Sequence, residues 1–363
     1  MRALVVVPPT PGVGLTEVPE PTQGPGEVKV RVIECGVCGT DRDVVAGKYG
    51  QPPAGSTQLI LGHENFGRVE SVGEGVVDWS PGDLVVATVR RGCNECRFCW
   101  TNRSDFCTTG RFKERGIGGL DGYLAEVYVE VPEYLVRVPT RLRKVAVLLE
   151  PLSVVEKAVE QGEAILDRFE PTPGYERETA RAALVAGTGA VGMLAAFLLR
   201  SLGYAVTAVD RHDETTLAAT LLPKIGARHV NVSAGLEPLD PDRFDLIVEA
   251  TGAPALDFEL IRRLSRNGVG VLTGIPAADA PAVPVAAGQI WREFVLKNQA
   301  VVGSVNANRR HFQSGLRHLG RFRRDWKEAL ESLVTSRQPL DDFHDPLMGK
   351  ETGTIKTVLT LAR

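Results

Sequence analysis

The sequence predicts an α/β protein of two domains, one built from short antiparallel strands and one from a doubly wound parallel sheet. The chain has 363 residues, which is long for one hydrophobic core and suggests two domains. Residues 1–150 contain short β-branched runs separated by Gly/Pro turns, whereas a strict alternation of β and α patterns begins at Arg181. Length, strand texture and alternation together predict this fold class.

The first domain is predicted to be barrel-like, because its strands are irregularly spaced and no long helix separates them. Turns such as Gly24-Pro25-Gly26 and Pro81-Gly82-Asp83 mark the strand ends. The predicted strands are Leu4–Val7, Val28–Ile33, Gly67–Val72, Leu84–Val89 and Tyr123–Val131. Apolar residues at helical spacing then predict a helix over Pro151–Leu166, followed by a surface loop over Phe169–Thr179, which is rich in proline and charge.

The second domain is predicted to have a parallel sheet with right-handed crossovers. Its strands are expected at Ala182–Ala186, Ala205–Val209, Leu246–Glu249 and Val269–Thr273, and its helices at Val191–Leu202, Thr215–Ile225 and Ala255–Leu264. After Val301–Gly303 the pattern predicts helices over His311–Leu319 and Trp326–Thr335. The β-rich tail, Ile355–Leu361, is expected to return to the first domain, which would make that domain discontinuous.

Composition and charge exclude several classes of protein. The chain is 43% hydrophobic and 24% charged with a net charge of −3, and no polybasic face indicates nucleic acid or anionic lipid as a partner. The apolar run before Pro8-Pro9 is five residues long, too short for a signal sequence, and no run reaches membrane-spanning length. Six cysteines, four of them in a metal pattern, fit a reducing cytoplasm. We therefore predict a cytoplasmic protein that binds neither nucleic acid nor membranes.

Four cysteines within fifteen residues are the most informative motif of the chain. They follow the pattern Cys93-x2-Cys96-x2-Cys99-x7-Cys107, and four thiolates can close a tetrahedral shell around one Zn²⁺. Ferredoxin-type iron–sulfur sites begin in the same way but continue with C-x3-C-P, whereas here the fourth cysteine comes seven residues later. Free thiols are the remaining alternative. The motif favours a structural zinc, which leaves catalysis to another site.

A glycine turn predicts a dinucleotide site. The turn Gly187-Thr188-Gly189-Ala190-Val191-Gly192 follows a predicted strand and opens a predicted helix, and Asp210 ends the next strand. The glycines permit a tight turn and close approach to a pyrophosphate, which faces the free amides of the helix start. A turn that merely packs a βα unit is the alternative. Asp210 favours NAD⁺ by bonding ribose hydroxyls, while Arg211 and His212 leave NADP⁺ possible.

A second, open metal site is predicted from four dispersed residues. Cys38, His63, Glu64 and Glu150 supply a thiolate, an imidazole and carboxylates, with a position left for water or substrate. Each residue has a simpler interpretation. Cys35-x-x-Cys38 could be a redox pair, His63 a satisfied core histidine, and Glu150 a surface carboxylate. Their joint presence favours the metal site.

These motifs, in this order, resemble the zinc-dependent medium-chain dehydrogenase/reductase superfamily over essentially the whole chain. The resemblance is carried by Gly62-His63-Glu64, the run from Gly36 to Asp41, the four cysteines and Gly187–Gly192. Further segments are similar to the glucose 1-dehydrogenase branch known best from archaea: Arg90–Cys93, Glu114–Ile117, Leu149–Ser153 and Gly303–Asn306. Alcohol dehydrogenases of the superfamily usually supply a late cysteine as third ligand. Here no cysteine follows Cys107, and Glu150 stands where the glucose dehydrogenase branch supplies a carboxylate or amide.

The resemblance implies a GroES-like β-barrel catalytic domain over residues 1–155 and 307–363, and a Rossmann nucleotide-binding domain over 156–306. It implies Cys38, His63 and Glu150 as ligands of the catalytic zinc, with Glu64 as an alternating ligand or nearby carboxylate. Thr40 would bond the reacting hydroxyl. The implied sugar contacts are Glu114, Glu150 and Asn306, and the implied cofactor contacts are Thr188–Val191, Asp210–His212, Thr273, Gly274, Ile275, Ser304, Val305 and Asn306. Glu114 could instead be exposed in the charged loop Arg111–Arg115.

The leading hypothesis is NAD(P)-dependent oxidation of D-glucose, and of other aldoses, at C1 to the lactone. Val89 replaces a polar sugar-binding residue of some relatives, so we expect looser selectivity among aldoses. The runner-up is a polyol or secondary-alcohol dehydrogenase with the same zinc and cofactor, and a third hypothesis is a nucleotide-binding regulatory or structural protein without turnover. The resemblance also implies a homodimer or homotetramer, in which the strand at Val269–Thr273 extends its sheet across a two-fold axis.

Overall fold

The computed structural model describes residues 1–169, 180–241, 243–277, 280–349 and 353–361. The chain forms two compact units: the first is Met1–Ser153, Asn306–Arg323 and Leu330–Arg363, and the second is Val154–Val305 with Arg324–Ala329. The segment Arg324–Ala329 belongs to the second unit, although the sequence-based boundaries assign all of 307–363 to the first domain. The reason is local, since the Trp326 ring packs edge-on against Phe197 of the second unit, with centroids 5.7 Å apart. The predicted loop lies outside the described residues except for Phe169, which ends a 3₁₀ turn.

The helices and strands follow in chain order. They are β1 Arg2–Val7, β2 Thr10–Glu17, β3 Val28–Val37, α1 Gly39–Val45, β4 Leu59–Ile60, β5 Glu64–Val72, β6 Leu84–Ala87, β7 Arg90–Arg91, α2 Arg97–Trp100, β8 Lys113–Arg115, β9 Gly119–Leu120, β10 Val127–Glu130, β11 Leu135–Arg137, α3 Leu149–Leu166, β12 Ala182–Ala186, α4 Ala190–Ser201, β13 Ala205–Asp210, α5 Leu217–Leu221, β14 Arg228–Asn231, β15 Phe244–Glu249, α6 Pro254–Ile261, β16 Leu264–Leu272, α7 Ala287–Lys297, β17 Ala300–Gly303, α8 Arg309–Asp325, α9 Lys327–Glu331, β18 Val334–Pro339, α10 His344–Met348 and β19 Lys356–Thr360. The longest 3₁₀ stretch is Thr140–Leu148, directly before α3.

The first unit is organised around β3. This strand pairs antiparallel with β5, β10 and β19 in a seven-stranded sheet, whose main path runs β11-β6-β5-β3-β19-β18. Alternate residues of β3 (Val28, Val30 and Val32) are fully buried while Arg31 is exposed, as the two-residue side-chain repeat of a half-buried strand requires. Two three-stranded sheets, β2-β1-β4 and β7-β8-β9, complete the unit. The tail strand β19 thus returns to the first unit, as the sequence predicted.

The second unit contains a six-stranded parallel sheet of order β14-β13-β12-β15-β16-β17. Strand β12 is an apolar run with four of five residues buried, which is typical of a parallel strand covered on both faces. Helix α4 is apolar on nearly all sides and mostly buried. Order and direction confirm the doubly wound arrangement that the β–α alternation predicted.

Two local predictions were wrong in detail. The helix predicted over Thr215–Ile225 is α-helical only to Leu221, because Pro223 cannot continue it and a 3₁₀ turn follows. The segment Trp326–Thr335 contains the short helix α9 and then enters strand β18, which pairs in parallel with β19. Strand β14 and helix α7 were not predicted. Within the described residues, no helix combines the length and the apolar character that a membrane crossing needs.

Candidate active site and metal centres

The four cysteines of the lobe converge on one point. Their sulfur atoms lie within 4.8 Å of one another, and Cys93 Sγ is 3.7 Å from Cys99 Sγ. Tetrahedral zinc with bonds of about 2.3 Å separates its sulfur ligands by about 3.8 Å. The amides of Cys93 and Glu95 donate to Cys99 Sγ and Cys93 Sγ at 3.3 and 3.4 Å, which holds these two sulfur atoms in place. The lobe therefore fits a closed structural zinc site.

Cys38 and His63 are brought together by strand pairing. Gly36 of β3 lies opposite Glu64 of β5, so the residues just after β3 and just before β5 are neighbours. Cys38 Sγ lies 3.1 Å from His63 Nε2, and the ligand atoms of Cys38, His63 and Glu64 lie within 4.8 Å of one another. This group offers three candidate ligands, one fewer than the four-cysteine lobe, and can hold a second metal ion.

Asp41 orients the imidazole of His63. Asp41 Oδ1 lies 3.2 Å from His63 Nδ1, and both residues are buried. Burial would raise the pKa of Asp41, but the His63 imidazole holds it below its usual value. Burial would also lower the pKa of His63, yet the negative Cys38 and Asp41 raise it well above its usual value. A proton on Nδ1 leaves Nε2 directed at the Cys38 side, as a metal-binding histidine requires.

Thr40 lies two residues after Cys38, in the first turn of helix α1. Cys38 caps helix α1, and its sulfur accepts from the Thr40 amide at 3.3 Å while Asp41 Oδ2 accepts from the Cys38 amide at 2.9 Å. Cys35 is fully buried, and burial raises the pKa of its thiol well above the usual value. A redox pair between Cys35 and Cys38 is therefore wrong, because an inert buried thiol cannot serve as its second member.

Glu64 is occupied by a lysine from the tail strand. Lys356 Nζ lies 2.7 and 2.6 Å from the two Glu64 carboxylate oxygens and donates to the Val37 carbonyl at 3.2 Å. Both side chains are about 3% exposed. Burial alone would lower the pKa of Lys356, but Glu64 and Cys38 raise it. Glu64 is thus held in an ion pair with Lys356 and also lies in the group of candidate metal ligands with Cys38 and His63.

Glu150 is buried near the same group. It is the second residue of α3 and only 7% exposed, so the surface interpretation is wrong. Burial raises the pKa of Glu150 to about 7; the nearby His63 lowers it and the negative Glu64 adds to the rise. Its carboxylate lies outside the 4.8 Å group formed by Cys38, His63 and Glu64. The surplus of negative groups around His63 suits a cation.

Glu114 is buried in an ion pair rather than exposed in its loop. Strand β7 places Arg90 directly opposite Glu114 of β8, and Arg90 Nε and Nη2 donate to Glu114 Oε1 at 3.0 and 2.9 Å. The Asn306 amide donates to the same oxygen at 2.6 Å, and its own carbonyl oxygen accepts from the Ala307 amide. The exposed interpretation of Glu114 is therefore wrong, and Asn306 contacts Glu114 directly. Val89, one residue before Arg90, is buried.

The glycine turn has the backbone that the motif requires. Gly187 has φ +93°, and a Cβ on Gly192 would meet the Gly187 carbonyl oxygen at 1.8 Å, so neither position admits a side chain. Helix α4 begins at Ala190 with no side-chain cap on its first amides. These amides can therefore meet an anion.

Asp210 ends β13 and is already hydrogen-bonded. Its Oδ1 accepts from the His212 amide at 2.9 Å and lies 3.1 Å from His229 Nε2, while its Oδ2 accepts from the Thr188 hydroxyl. Arg211 is exposed beside it. The remaining predicted cofactor residues of this unit follow β16 (Thr273, Gly274 and Ile275) or β17 (Ser304 and Val305). All lie at the carboxyl-terminal edge of the parallel sheet, where such folds bind nucleotides.

Sequence reasoning missed four residues that contact the predicted ones: Asp41, Arg90, Lys356 and His229. A signal exists for two of them. Asp41 stands three residues after Cys38, the spacing of a capping box. Lys356 is a lone charge at the start of the apolar strand β19. His229 lies on a strand that was not predicted, and Arg90 was quoted only as part of a motif.

Comparisons with known proteins agree over the whole chain. The family model described as glucose dehydrogenase C-terminus matches residues 143–361, and that of the alcohol dehydrogenase GroES-like domain matches residues 24–140. The glucose 1-dehydrogenase of Thermoproteus tenax is 42% identical over 348 residues, which cover 95% of each chain. That of Methanocella arvoryzae is 41% identical over 339 residues, which cover 92% of each chain.

A solved structure, Haloferax mediterranei glucose dehydrogenase in complex with NADP, Zn and gluconolactone, has a TM-score of 0.87 at 32% identity and covers 100% of both chains. Other solved structures, such as the galactitol-1-phosphate dehydrogenase of Escherichia coli at 23% identity with a TM-score of 0.77, show the fold alone. The chain belongs to the glucose dehydrogenase branch of the zinc-dependent medium-chain dehydrogenase/reductase superfamily.

Proposed function

We propose that this protein is a zinc-dependent glucose 1-dehydrogenase that oxidises D-glucose at C1 to the lactone and reduces NADP⁺ or NAD⁺. The observation that carries the proposal is the pair of metal-ligand groups, one with four cysteines and one, at Cys38, His63 and Glu64, with three candidate ligands and thus a fourth position for another ligand. A closed site stabilises the fold, whereas an open one can accept a substrate oxygen. The relatives named above support glucose as the substrate, since the Haloferax structure holds gluconolactone, Zn and NADP.

Cys38, His63 and Glu150 are the proposed ligands of the catalytic zinc. When bound, Zn²⁺ acts as a Lewis acid that lowers the pKa of a hydroxyl group and stabilises negative charge on its oxygen. Asp41 keeps the His63 imidazole oriented. Glu64 is the nearby carboxylate, and its ion pair with Lys356 leaves Glu150 as the better third ligand. The Thr40 hydroxyl is proposed to accept the proton of the C1 hydroxyl and pass it outward.

Glu114 is the proposed sugar contact. A carboxylate accepts hydrogen bonds from sugar hydroxyls that a simple alcohol lacks, and Glu114 is held by Arg90 and Asn306 in a fixed orientation. The buried Val89 offers no hydrogen bond at the neighbouring position. We therefore expect glucose to be preferred over simple alcohols, with modest selectivity among aldoses.

The cofactor site is proposed to use the amides of Gly187–Gly192 for the pyrophosphate and Asp210 for the adenosine ribose. Nicotinamide supplies the hydride acceptor, and the protein supplies binding and orientation. His212 and Arg211 follow Asp210 directly, and His229 contacts it. The Arg211 charge offsets that of Asp210, and His229 Nε2 lies 3.1 Å from the Asp210 carboxylate, so we expect both NAD⁺ and NADP⁺ to be accepted.

A homodimer, alone or within a tetramer, is proposed to form at β17. The strand predicted for this role, Val269–Thr273, lies in β16 up to Leu272. Strand β16 pairs with β15 on one side and with β17 on the other, so it cannot extend the sheet. In the described part of the chain β17 is one edge strand of this sheet, and β14 is the other. Helix α7 precedes it and has no buried residue, with Trp291 and Val295 exposed. Light scattering would measure the mass.

A cytoplasmic location stays a prediction from the six cysteines, none in a disulfide.

Initial rates on D-glucose, D-galactose, D-xylose, sorbitol and 2-propanol, each with NAD⁺ and NADP⁺, test the function. We expect D-glucose to have the highest kcat/KM. Sorbitol or 2-propanol oxidised faster than every aldose would instead identify a polyol or secondary-alcohol dehydrogenase. Cofactor binding without turnover of any of the five would indicate the regulatory protein.

A further inference from the structure

The carboxylate of Glu114 is held entirely through one of its two oxygens. Arg90 Nε and Nη2 reach Oε1 at 3.0 and 2.9 Å, and Asn306 Nδ2 reaches the same atom at 2.6 Å. No hydrogen bond from a described residue reaches Oε2, and about 10% of the side chain stays accessible. Three donors therefore fix the carboxylate and leave its second oxygen free to accept, as far as the described ranges of the chain show.

Arg90 is itself fixed in place. It is buried, and its guanidinium lies 3.7 Å from the centroid of the Phe112 ring. Its Nη1 donates to the Asp105 carbonyl at 3.4 Å. A planar guanidinium with one face over an aromatic ring and its edges hydrogen-bonded has few rotamers available. Because these contacts restrict Arg90, they also restrain the Glu114 carboxylate from rotating Oε2 away.

We propose that Arg90 is a positioning residue for substrate specificity: it holds Glu114 so that Oε2 accepts a hydrogen bond from one hydroxyl of the sugar. This inference rests on the proposed glucose dehydrogenase function and adds a residue to it. Arg90 touches no reacting atom, so its loss should weaken sugar binding more than it slows the chemical step. Loss of a residue that only stabilised the fold would not raise KM for the sugar while leaving kcat nearly unchanged.

Adjacent residues supply a matched control. Arg91 lies beside Arg90 in β7, is equally buried, and pairs with Glu130 rather than Glu114. Its guanidinium lies 3.9 Å from the Tyr134 ring, much as Arg90 lies over Phe112. Arg91→Met therefore removes a buried ion pair and a cation–π contact of the same kind. It leaves the Glu114 carboxylate untouched.

The test measures kcat and KM for D-glucose and for its 2-deoxy and 3-deoxy analogues, at saturating cofactor. We expect Arg90→Met to raise KM for glucose about 10- to 100-fold, the range for a hydrogen bond to a charged group, with kcat changed less than about threefold. Arg90→Lys keeps the positive charge but not the two parallel N–H donors, so its KM for glucose should lie between those of the wild type and Arg90→Met. In the wild type one deoxy sugar should show the larger KM penalty, and in Arg90→Met that penalty should shrink.

Arg91→Met should lower Tm while leaving the KM values and the deoxy-sugar penalty unchanged. Zinc content and cofactor Kd report whether each variant is folded, and Arg90→Lys decides the matter if Arg90→Met does not fold. Equal KM effects from Arg90 and Arg91 variants, or an unchanged deoxy-sugar penalty in Arg90→Lys, would overturn the proposal. A wild-type protein that does not oxidise glucose at all would overturn the proposed function itself, which is a distinguishable result.

Discussion

Replacing Lys356 with methionine should be among the most damaging single changes in the first unit. The lysine ammonium is buried and contacts both oxygens of Glu64, at 2.7 and 2.6 Å, together with the Val37 carbonyl. At this distance the attraction between unit charges is roughly 6 kcal/mol at an effective dielectric constant of 20. Methionine matches the lysine stem in length, so the variant removes the charge with little change in packing.

The net loss should be smaller than that attraction, because the variant also removes the desolvation of the ammonium. Breaking a buried ion pair at one end typically costs about 3–5 kcal/mol, since the remaining charge is left without a partner. Removing both charges, in the double variant with Glu64→Gln, should restore most of the stability. An unpaired Glu64 carboxylate is thus the expected cause of the loss.

Guanidinium unfolding of the zinc-loaded protein provides the assay, with midpoints compared at equal m values. Lys144→Met is the control, because Lys144 pairs with Glu331 at 3.3 Å while its side chain is 75% exposed. Such a surface pair contributes about 0.2–1 kcal/mol. If Lys356→Met cost no more than Lys144→Met, the ion pair with Glu64 would not be what stabilises this part of the fold.

Two further predictions concern the second unit. Burial, and then the negative Glu249, raise the pKa of Asp257 to about 7, so its stabilising neutral form is lost as the pH rises from about 4 through 7. Asp257→Asn should therefore raise Tm by about 2–4 °C at pH 8 and leave it unchanged at pH 4; an equal effect at both pH values would contradict this origin. Replacing His229 with leucine removes a partner of Asp210 and should lower the NADP⁺/NAD⁺ ratio of kcat/KM about fivefold, near 1 kcal/mol; an unchanged ratio would show that His229 does not tune the ribose site.

Motifs that are contiguous in sequence could be predicted, because their geometry is local. The four cysteines lie within fifteen residues, and the turn from Gly187 to Gly192 sets its own backbone. The partners that complete the open metal site are not local. Lys356 lies 292 residues after Glu64, and they meet only because β3 pairs with both β19 and β5. No pattern within a single segment encodes such a contact.

The ion pair of Glu114 also could not be predicted from the sequence. Its mixed-charge neighbours, Arg111 to Arg115, read equally well as a solvated loop. The antiparallel register of β7 and β8 places Arg90 opposite it and buries the pair. Strand β7 is two residues long, too short for its periodicity to be detected. The sequence therefore identified the residue but not the ion pair that decides its orientation.

The division of labour between two zinc sites is the central claim, and the metal content per chain tests it most directly. Zinc should be measured in purified wild type and in Cys38→Ala, together with turnover of D-glucose and the circular dichroism spectrum. We predict two zinc ions in the wild type and one in Cys38→Ala, with turnover abolished and the spectrum unchanged. Full glucose turnover by a Cys38→Ala protein with a single zinc ion would contradict the account.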